Sequence, residues 1–337
     1  MPPTDPKAIV RRLFDEAWNG RNVAMLDEII APDYVPHPVL MPPLGLPTAF
    51  GTGATGGPLA AQEQIAQWLT GFPDGQVAVT HVIAEGELVV TRHLLRGTQR
   101  GPFWSIMPTG RPITLEVLGM RRVVEGHIAA AWEIYRPMSL FQQLGLLPGG
   151  DEMPPELTLD SAAPPADETG LILPPDVQKA VLRRYFEDTV NGEQIDVVDR
   201  LIAPIYIDHY NDYRQEMARE RIKEVLADWN IAFPTSHYTI EDLIGEGEYV
   251  AARLTWRAVH EGPYQGLPAT GNRIQLGQMV LVRLADGLLH ERWNIMDDMG
   301  LLQQLGVISV TSKDSKPGGG RPRPPSDEGK GGKDLPK

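Results

Sequence analysis

The chain has 337 residues, no cysteine and a formal net charge of −13 at pH 7. The lack of cysteine excludes a disulfide scaffold, a thiol nucleophile and a cysteine metal site. The negative charge argues against nucleic acid or a membrane surface as a partner. Because no apolar run is long enough for a signal peptide or a membrane span, we expect a cytoplasmic protein.

Three helices are predicted in the first part of the chain. Apolar residues recur at helical spacing over 7 to 18, again in a short helix over 23 to 30, and a third time over 59 to 71. The stretch from 38 to 58 is dense in proline and glycine, which fits neither a helix nor a central strand. It is therefore predicted to be a long surface loop and a candidate lid over a pocket.

The apolar period then changes from about four to two, which predicts strands. The predicted strands cover 76 to 84, 88 to 96, 113 to 124 and 128 to 136. Glu125-Gly126 is predicted to form a tight turn between the last two strands. Helices followed by antiparallel strands predict an α+β domain, with N-terminal helices packed on a curved, mostly antiparallel sheet. A sheet that curls around its helices encloses a pocket.

The chain then repeats itself. The string LFQQLG at 140 to 145 returns as LLQQLG at 301 to 306, an offset of 161. Nearer the start, IAPDYVPH at 30 to 37 matches IAPIYIDH at 202 to 209 at an offset of 172. The first copy therefore has extra residues, which fall in the proline-rich loop.

The second copy is predicted to contain the same elements. They are a third helix near 214 to 230 and strands at 237 to 244, 249 to 260, 273 to 284 and 288 to 296, with a turn at Asp286-Gly287.

Four segments follow from this pattern. Two domains are predicted at 1 to 147 and 176 to 308, each near the commonest domain size. Residues 148 to 175 are rich in proline and acidic residues and are predicted to form a linker. Residues 309 to 337 are predicted to be a disordered tail, whose basic residues could also contact an anionic partner.

Several strings resemble a known family. GPYQGLPATGNRI at 262 to 274 and HERWNIMDDMGLLQQLG at 290 to 306 resemble the closing motifs of the SnoaL-like polyketide cyclases, a family of the nuclear-transport-factor-2-like superfamily. The resemblance covers both copies and implies a cone-shaped α+β fold. It also implies ring closure by an intramolecular aldol reaction without metal or organic cofactor, with an acidic side chain as acid/base. The superfamily also includes isomerases, hydrolases, dehydratases and binding modules, so fold alone does not decide the chemistry.

The resemblance implies that Asp297, four residues after Trp293, is the catalytic acid. Strand alternation puts Glu291, Trp293, Ile295 and Asp297 on one face, which we expect to line the cone. Alternatively, Asp297 caps the following helix. Glu291 could instead pair with a neighbouring arginine.

Three further residues are candidates for the same pocket. Alternation over 250 to 260 puts Trp256 and His260 on an apolar face, where His260 would assist catalysis. His260 could equally be an exposed turn residue. His209 follows a helix and suits a pocket rim or a structural hydrogen bond, and with its neighbours it is too weak a pattern for a metal site.

The first copy lacks these groups. Aligned residues are Arg136 for Asp297, Gln99 for His260 and Ala130 for Glu291. His93 and Glu116 remain there, so a different chemistry stays open. The simpler hypothesis is one active cone in the second copy and a structural or ligand-binding first copy.

Three functions are therefore considered. The leading one is a cofactor-independent cyclase, isomerase or hydrolase acting on a small, largely apolar carbonyl compound. The alternatives are a non-catalytic module that binds a hydrophobic small molecule and a structural protein with filled cones. The resemblance further implies that the two copies pack through their outer sheet faces as an intrachain pseudo-dimer.

Overall fold

A computed structural model describes residues 5–38, 56–149, 171–210 and 213–308. Most of the predicted loop at 38 to 58, most of the predicted linker at 148 to 175 and the whole predicted tail at 309 to 337 lie outside the described residues. Within the described ranges, no helix is long and apolar enough to cross a membrane.

The first copy begins with helices and ends with a sheet and a short helix. Its elements are α1 (Pro6–Arg12), α2 (Leu26–Ile29), β1 (Ile30–Pro38), α3 (Gly57–Gly71), β2 (Gln76–Glu85), β3 (Leu88–Thr98), β4 (Pro112–Val124), β5 (His127–Ile134) and α4 (Pro137–Gln143). A π-helical segment, Leu13–Asn19, continues α1, and a 3-10 turn, Val23–Met25, precedes α2. Asp5 caps α1 by accepting a hydrogen bond from the Lys7 N–H, which satisfies an amide that the helix leaves unpaired.

The second copy repeats this order and, among the described residues, has one strand more. Its elements are α5 (Pro175–Arg184), α6 (Val198–Leu201), β6 (Ile202–Tyr210), β7 (Tyr213–Ala218), α7 (Arg219–Ala232), β8 (His237–Glu246), β9 (Tyr249–Val259), β10 (Arg273–Ala285), β11 (Leu288–Met296) and α8 (Asp298–Gln304). A π-helical segment, Tyr185–Asn191, continues α5 as in the first copy.

The strand orders are β1-β5-β4-β3-β2 and β7-β6-β11-β10-β9-β8. The pairs β1–β5 and β6–β11 are parallel and all other pairs are antiparallel. The turns at Glu125-Gly126 and Asp286-Gly287 have positive φ at both residues, as a tight hairpin requires. The predicted α+β class and the tandem duplication are confirmed.

Two parts of the sheets differ from the prediction. The sequence predicted no strand at 30 to 38 or 202 to 210, yet both segments pair in parallel with the last strand of their sheet. The predicted start of a helix near 214 is also wrong, because Tyr213–Ala218 pairs with β6 and the helix begins at Arg219. In both cases hydrogen bonding to the edge of the sheet outweighs the weak secondary-structure preference of the segment itself.

The two sheets contact each other through their outer faces, and the contacts are reciprocal. Lys7 of the first copy pairs with Glu246 of the second, and the aligned Lys179 of the second copy pairs with Glu85 of the first. Each glutamate also accepts a hydrogen bond from a backbone N–H of the other copy, at 2.9 Å in both cases. The Arg253 guanidinium lies 4.8 Å from the Trp132 ring, and the aligned Arg92 lies 5.2 Å from the Trp293 ring.

The short helices α4 and α8 also meet at this interface. Asp298 Oδ1 accepts hydrogen bonds from the Met299 N–H at 2.7 Å and, across the copies, from the Met138 N–H at 3.3 Å. Burial raises the pKa of Asp298 from its ordinary 3.8 to about 7, although Arg136 acts in the opposite direction. Between about pH 4 and pH 7, the folded protein therefore keeps this carboxyl protonated, whereas the unfolded chain has released the proton.

This proton predicts a pH dependence of stability. The stabilising contribution of protonated Asp298 is full below about pH 4 and is lost as the pH rises through about 7. We expect Asp298→Asn, which cannot ionise, to gain stability relative to the wild type steadily between pH 4 and 7.5. Urea unfolding of both proteins at matched pH values checks this. The difference between them cancels opposing groups such as His81, whose pKa burial lowers to about 4. A difference that does not change with pH would contradict it.

Candidate functional site

The second copy contains a cavity of about 590 Å³ between its helices and the inner face of its sheet. Its wall is largely apolar and aromatic, with Ile222, Leu226 and Trp229 contributed by α7 and Phe186 by the π-helical segment. A volume of this size suits a small organic ligand.

A charged group forms one part of the wall. The Arg292 guanidinium binds both carboxylate oxygens of Asp208, with Nε–Oδ1 at 3.1 Å and Nη2–Oδ2 at 2.8 Å. Arg292 Nη1 also donates to the Tyr185 hydroxyl oxygen at 3.2 Å. Burial opposes the charge on Arg292, but Asp208 raises its pKa well above the ordinary value. Since the Tyr185 oxygen accepts from the guanidinium, its proton can be donated to a ligand.

Two amides continue the polar part of the wall. Gln278 on β10 and Asn294 on β11 both line the cavity, and Gln278 Nε2 donates to Asn294 Oδ1 at 2.6 Å. Arg292 and Asn294 are two residues apart on β11, so their side chains share the inner face. The inner faces of β10 and β11 therefore form a polar strip in an otherwise apolar cavity.

The cone of the first copy is filled by its own side chains. Among the described residues, a pocket at this place has a volume of about 30 Å³ and is lined by Trp18, Arg121 and Glu133 among others. Arg121 pairs with Glu133 inside it. The aligned positions of the second copy carry Val190, Val282 and Asn294. Larger side chains and an internal ion pair thus occupy the space that is open in the second copy.

The expectation that Glu291, Trp293 and Ile295 line the cavity is wrong. They share one face as predicted, but the cavity is lined by the alternate residues Arg292, Asn294 and Met296. Trp293 and Ile295 belong instead to the apolar cluster that joins the second sheet to the first copy. Both faces of this sheet are buried, so both carry apolar side chains. Strand alternation therefore cannot show which face lines the cavity.

The structure does bring three of the predicted residues together on that outer face. The His209 ring stacks on Trp293 with a centroid distance of 4.9 Å. His209 Nε2 bonds Glu291 Oε1 at 2.8 Å, and Arg283 Nε donates to the other Glu291 oxygen at 3.3 Å. Burial raises the pKa of Glu291, but His209 and Arg283 lower it by more, so that it lies below its ordinary value. His209 and Glu291 therefore stabilise the outer face and do not line the cavity.

Asp297 occupies the capping position that the sequence offered as its alternative. It is 0% exposed, and Oδ1 accepts from the Gly300 N–H at 2.8 Å at the start of α8. It is not part of the cavity wall. The position of Asp297 is therefore explained by a helix-capping contact.

Trp256 and His260 lie in the interior of the second copy, beside the cavity but outside its lining. Trp256 Nε1 donates to Ser236 Oγ at 2.7 Å. His260 Nδ1 accepts from the Thr270 N–H at 3.2 Å. In the first copy, Gln99 makes the same contact with the aligned Thr109 at 3.1 Å. His260 therefore anchors a loop, as Gln99 does.

This equivalence predicts a mild effect for His260→Gln. A glutamine can accept the same backbone hydrogen bond, and in the first copy its Nε2 also reaches two loop carbonyls, at 3.3 and 3.4 Å. We expect the free energy of unfolding to change by less than about 1 kcal/mol and ligand binding in the cavity to persist. Urea unfolding and ligand titration check this, and a loss of binding without unfolding would restore a direct role for His260.

Among the described residues, no cluster of three or more His, Asp or Glu side chains is arranged to hold a metal ion. Of the neighbours of His209 that were judged too weak a pattern for a metal site, residues 211 and 212 lie outside the described ranges.

The sequence prediction missed Tyr185, Asp208, Gln278, Arg292 and Asn294. The alignment of the two copies does distinguish these positions, because the residues differ in type between the copies. The first copy has Leu13, Pro36, Val117, Ala131 and Glu133 in their place. Arg292 and Asn294 lie on the face of β11 opposite to the face of Trp293 and Ile295, which strand alternation had indicated as the cavity lining.

The model of the SnoaL-like polyketide cyclase family matches residues 8–144 and 180–305. The chain therefore belongs to this family and carries two tandem copies of its domain, as the motifs predicted.

Two relatives from Streptomyces are cyclases by name. Aklanonic acid methyl ester cyclase DauD of Streptomyces sp. (strain C5) is 37% identical over 79 residues, which are 23% of this chain and 46% of that protein. The enzyme DnrD of Streptomyces peucetius, of the same name, is 37% identical over 71 residues, which are 21% of this chain and 49% of that protein. The chain thus spans about half the length of these relatives. Among solved structures, TsrD from Streptomyces laurentii is 26% identical, with a TM-score of 0.37 over 40% of this chain and 99% of that one.

Proposed function

We propose that this protein is a cofactor-independent cyclase of the polyketide type, acting on a small, largely apolar carbonyl compound in the cavity of the second copy. The observation that carries the proposal is the group of Arg292, Asp208 and Tyr185 in the wall of an otherwise apolar cavity. The aligned residues of the filled first copy are Ala131, Pro36 and Leu13. The polar group is therefore found in the copy whose cavity is open, and the aligned positions of the filled copy lack it.

These residues supply what ring closure by an aldol reaction requires. Removal of a proton next to a carbonyl needs a base and donors for the developing enolate oxygen. Arg292 and Tyr185 are the donors, and Asp208 replaces Asp297 as the proposed base. The proton passes from the substrate carbon to Asp208, and the enolate carbon bonds to a second carbonyl carbon of the same molecule. The alkoxide formed there takes the proton back from Asp208.

The test uses aklanonic acid methyl ester, the compound in the names of the two relatives, as substrate. We expect Tyr185→Phe to lower kcat by about 100-fold with little change in melting temperature, because only one hydroxyl is removed. Tyr249→Phe is the matched control, since Tyr249 contacts His81 and Trp293 on the outer face. Equal rates of cyclisation for wild type and Tyr185→Phe would exclude the proposed donor.

A second candidate function is binding without turnover. It is favoured by the bidentate contact of Asp208 with Arg292, because both carboxylate oxygens already accept hydrogen bonds from the guanidinium. In that case the ligand binds in the cavity and Tyr185→Phe weakens its binding. Neither the wild type nor the two variants form a cyclised product.

The first copy is proposed to act as a structural partner in an intrachain pseudo-dimer. The reciprocal lysine–glutamate and arginine–tryptophan contacts support this role. Its filled cone supports the absence of a second substrate site.

A further inference from the structure

A buried hydrogen bond lies on the outer face of β6 and β11, directly behind the polar group of the cavity. His209 Nε2 bonds Glu291 Oε1 at 2.8 Å, and the two side chains are 14% and 1% exposed. His209 follows Asp208 on β6, and Glu291 precedes Arg292 on β11. Because successive side chains of a strand point to opposite faces, the inner pair and the outer pair lie back to back on the same two strands.

The backbone pairing that joins these two strands at this point is short. Residues 207 to 209 pair in register with residues 291 to 293, with Asp208 directly opposite Arg292. Before this stretch the register shifts at an irregularity in the pairing. The position of Asp208 relative to Arg292 therefore depends on a short run of backbone pairs and on the side-chain contacts that reinforce it.

The first copy keeps the aromatic stack of this region and lacks both polar pairs. His37 stacks on Trp132 with a centroid distance of 4.8 Å, as His209 stacks on Trp293 at 4.9 Å. At the positions of Glu291, Asp208 and Arg292 the first copy carries Ala130, Pro36 and Ala131. The stack is thus common to both copies, and the carboxylate behind the cavity is present only in the copy that has the polar group.

We propose that His209 and Glu291 are positioning residues, whose hydrogen bond fixes β6 against β11 and so maintains the geometry of the bidentate pair in the cavity. This rests on the proposed function in taking the second-copy cavity as the substrate site. Groups that bind a substrate are effective only when the residues behind them hold their geometry.

The first copy contributes to this support. Its Arg92 guanidinium lies 5.2 Å from the Trp293 ring, on which His209 stacks, and its His81 ring lies 4.6 Å from the same ring. His209 is therefore held between its bond to Glu291 and a ring against which the first copy packs. The filled copy thereby takes part in the geometry of the open cavity.

The test removes the hydrogen bond and keeps the stacked ring. His209→Phe does this in the second copy, and His37→Phe is the matched control in the first. In NMR spectra of the full-length protein, we expect the Arg292 Nε–H of His209→Phe to exchange with solvent about 10-fold faster than that of the wild type, because the bidentate pair opens more often. His37→Phe is expected to leave this exchange rate unchanged.

Calorimetric titration with aklanonic acid methyl ester gives the second readout. His209→Phe is expected to raise its dissociation constant about 3- to 30-fold, and His37→Phe to leave it within about twofold of the wild type. His209→Gln places an amide donor near the position of the ring Nε2, so it is expected to restore the slow exchange of Arg292 and most of the affinity. A role limited to stability would instead make both readouts follow the melting temperature in all three variants.

Glu291→Gln tests the same contact from its other side if His209→Phe does not fold. It keeps the size of the side chain, but an amide oxygen is a weaker acceptor than a carboxylate, so we expect the Arg292 Nε–H to exchange faster in this variant too. Wild-type exchange in the variant that folds would overturn the inference and leave the cavity as the proposed substrate site. Faster exchange in that variant, with no binding of the ester by the wild type, would support the positioning role and count against the proposed function.

Discussion

Replacement of Trp293 by alanine is expected to lower the free energy of unfolding by about 3 to 5 kcal/mol. Trp293 is 2% exposed and belongs to the apolar cluster shared by both copies. Its ring lies 4.6 Å from His81 and 5.2 Å from the Arg92 guanidinium, both of the first copy. The substitution therefore leaves a hole at the interface of the copies, and urea unfolding measures its cost.

Trp229→Ala is the matched control for this substitution. Trp229 lines the cavity and is partly exposed, so its removal is expected to weaken ligand binding more than folding. Trp293→Ala should show the opposite pattern. If Trp293→Ala abolished ligand binding and left stability unchanged, the original expectation that Trp293 lines the substrate site would be right.

Replacement of Arg292 by methionine is expected to lower the free energy of unfolding by about 3 to 5 kcal/mol and to abolish ligand binding. The change leaves the Asp208 carboxylate buried without its counter-ion, since Asp208 is 5% exposed. It also removes the donor at the centre of the polar group. Because the damage comes from the unpaired charge, adding Asp208→Asn to Arg292→Met should recover much of the stability and none of the binding.

Arg184→Met serves as the control for loss of an ion pair. Arg184 Nε lies 2.9 Å from Asp188 Oδ2, but the side chains are 48% and 36% exposed, so loss of this pair should cost less than about 0.5 kcal/mol. Equal effects of Arg184→Met and Arg292→Met in urea unfolding would contradict the importance given to the buried pair. So would a double variant that is no more stable than Arg292→Met.

The fold was predictable from the sequence because its signals are local and repeated. The period-2 strands and the Asp286-Gly287 turn need only neighbouring residues, and the recurring QLG motif gave the domain count. The strands at 30 to 38 and 202 to 210 were not predictable in this way. Their pairing with the last strand of each sheet depends on contacts about 90 residues away along the chain.

The site was predictable only in part, because both faces of the second sheet are buried. Helices cover its inner face and the first copy covers its outer face, so Trp293 and Met296 are both apolar positions on opposite sides. The comparison of the two copies indicated that the candidate polar groups are in the second copy. It could not decide between Asp297, which caps a helix, and Arg292, which lines the cavity. That choice depends on which face encloses space.

The most direct test is the structure of this protein in complex with aklanonic acid methyl ester, determined by crystallography. The proposed function predicts density for the ligand in the second copy only, with a carbonyl oxygen within hydrogen-bond distance of Arg292 and Tyr185. The cone of the first copy, which holds the Arg121–Glu133 pair, should remain filled by its side chains. Density in that first cone, or on the outer face beside Glu291 and Trp293, would contradict the assignment of the substrate site.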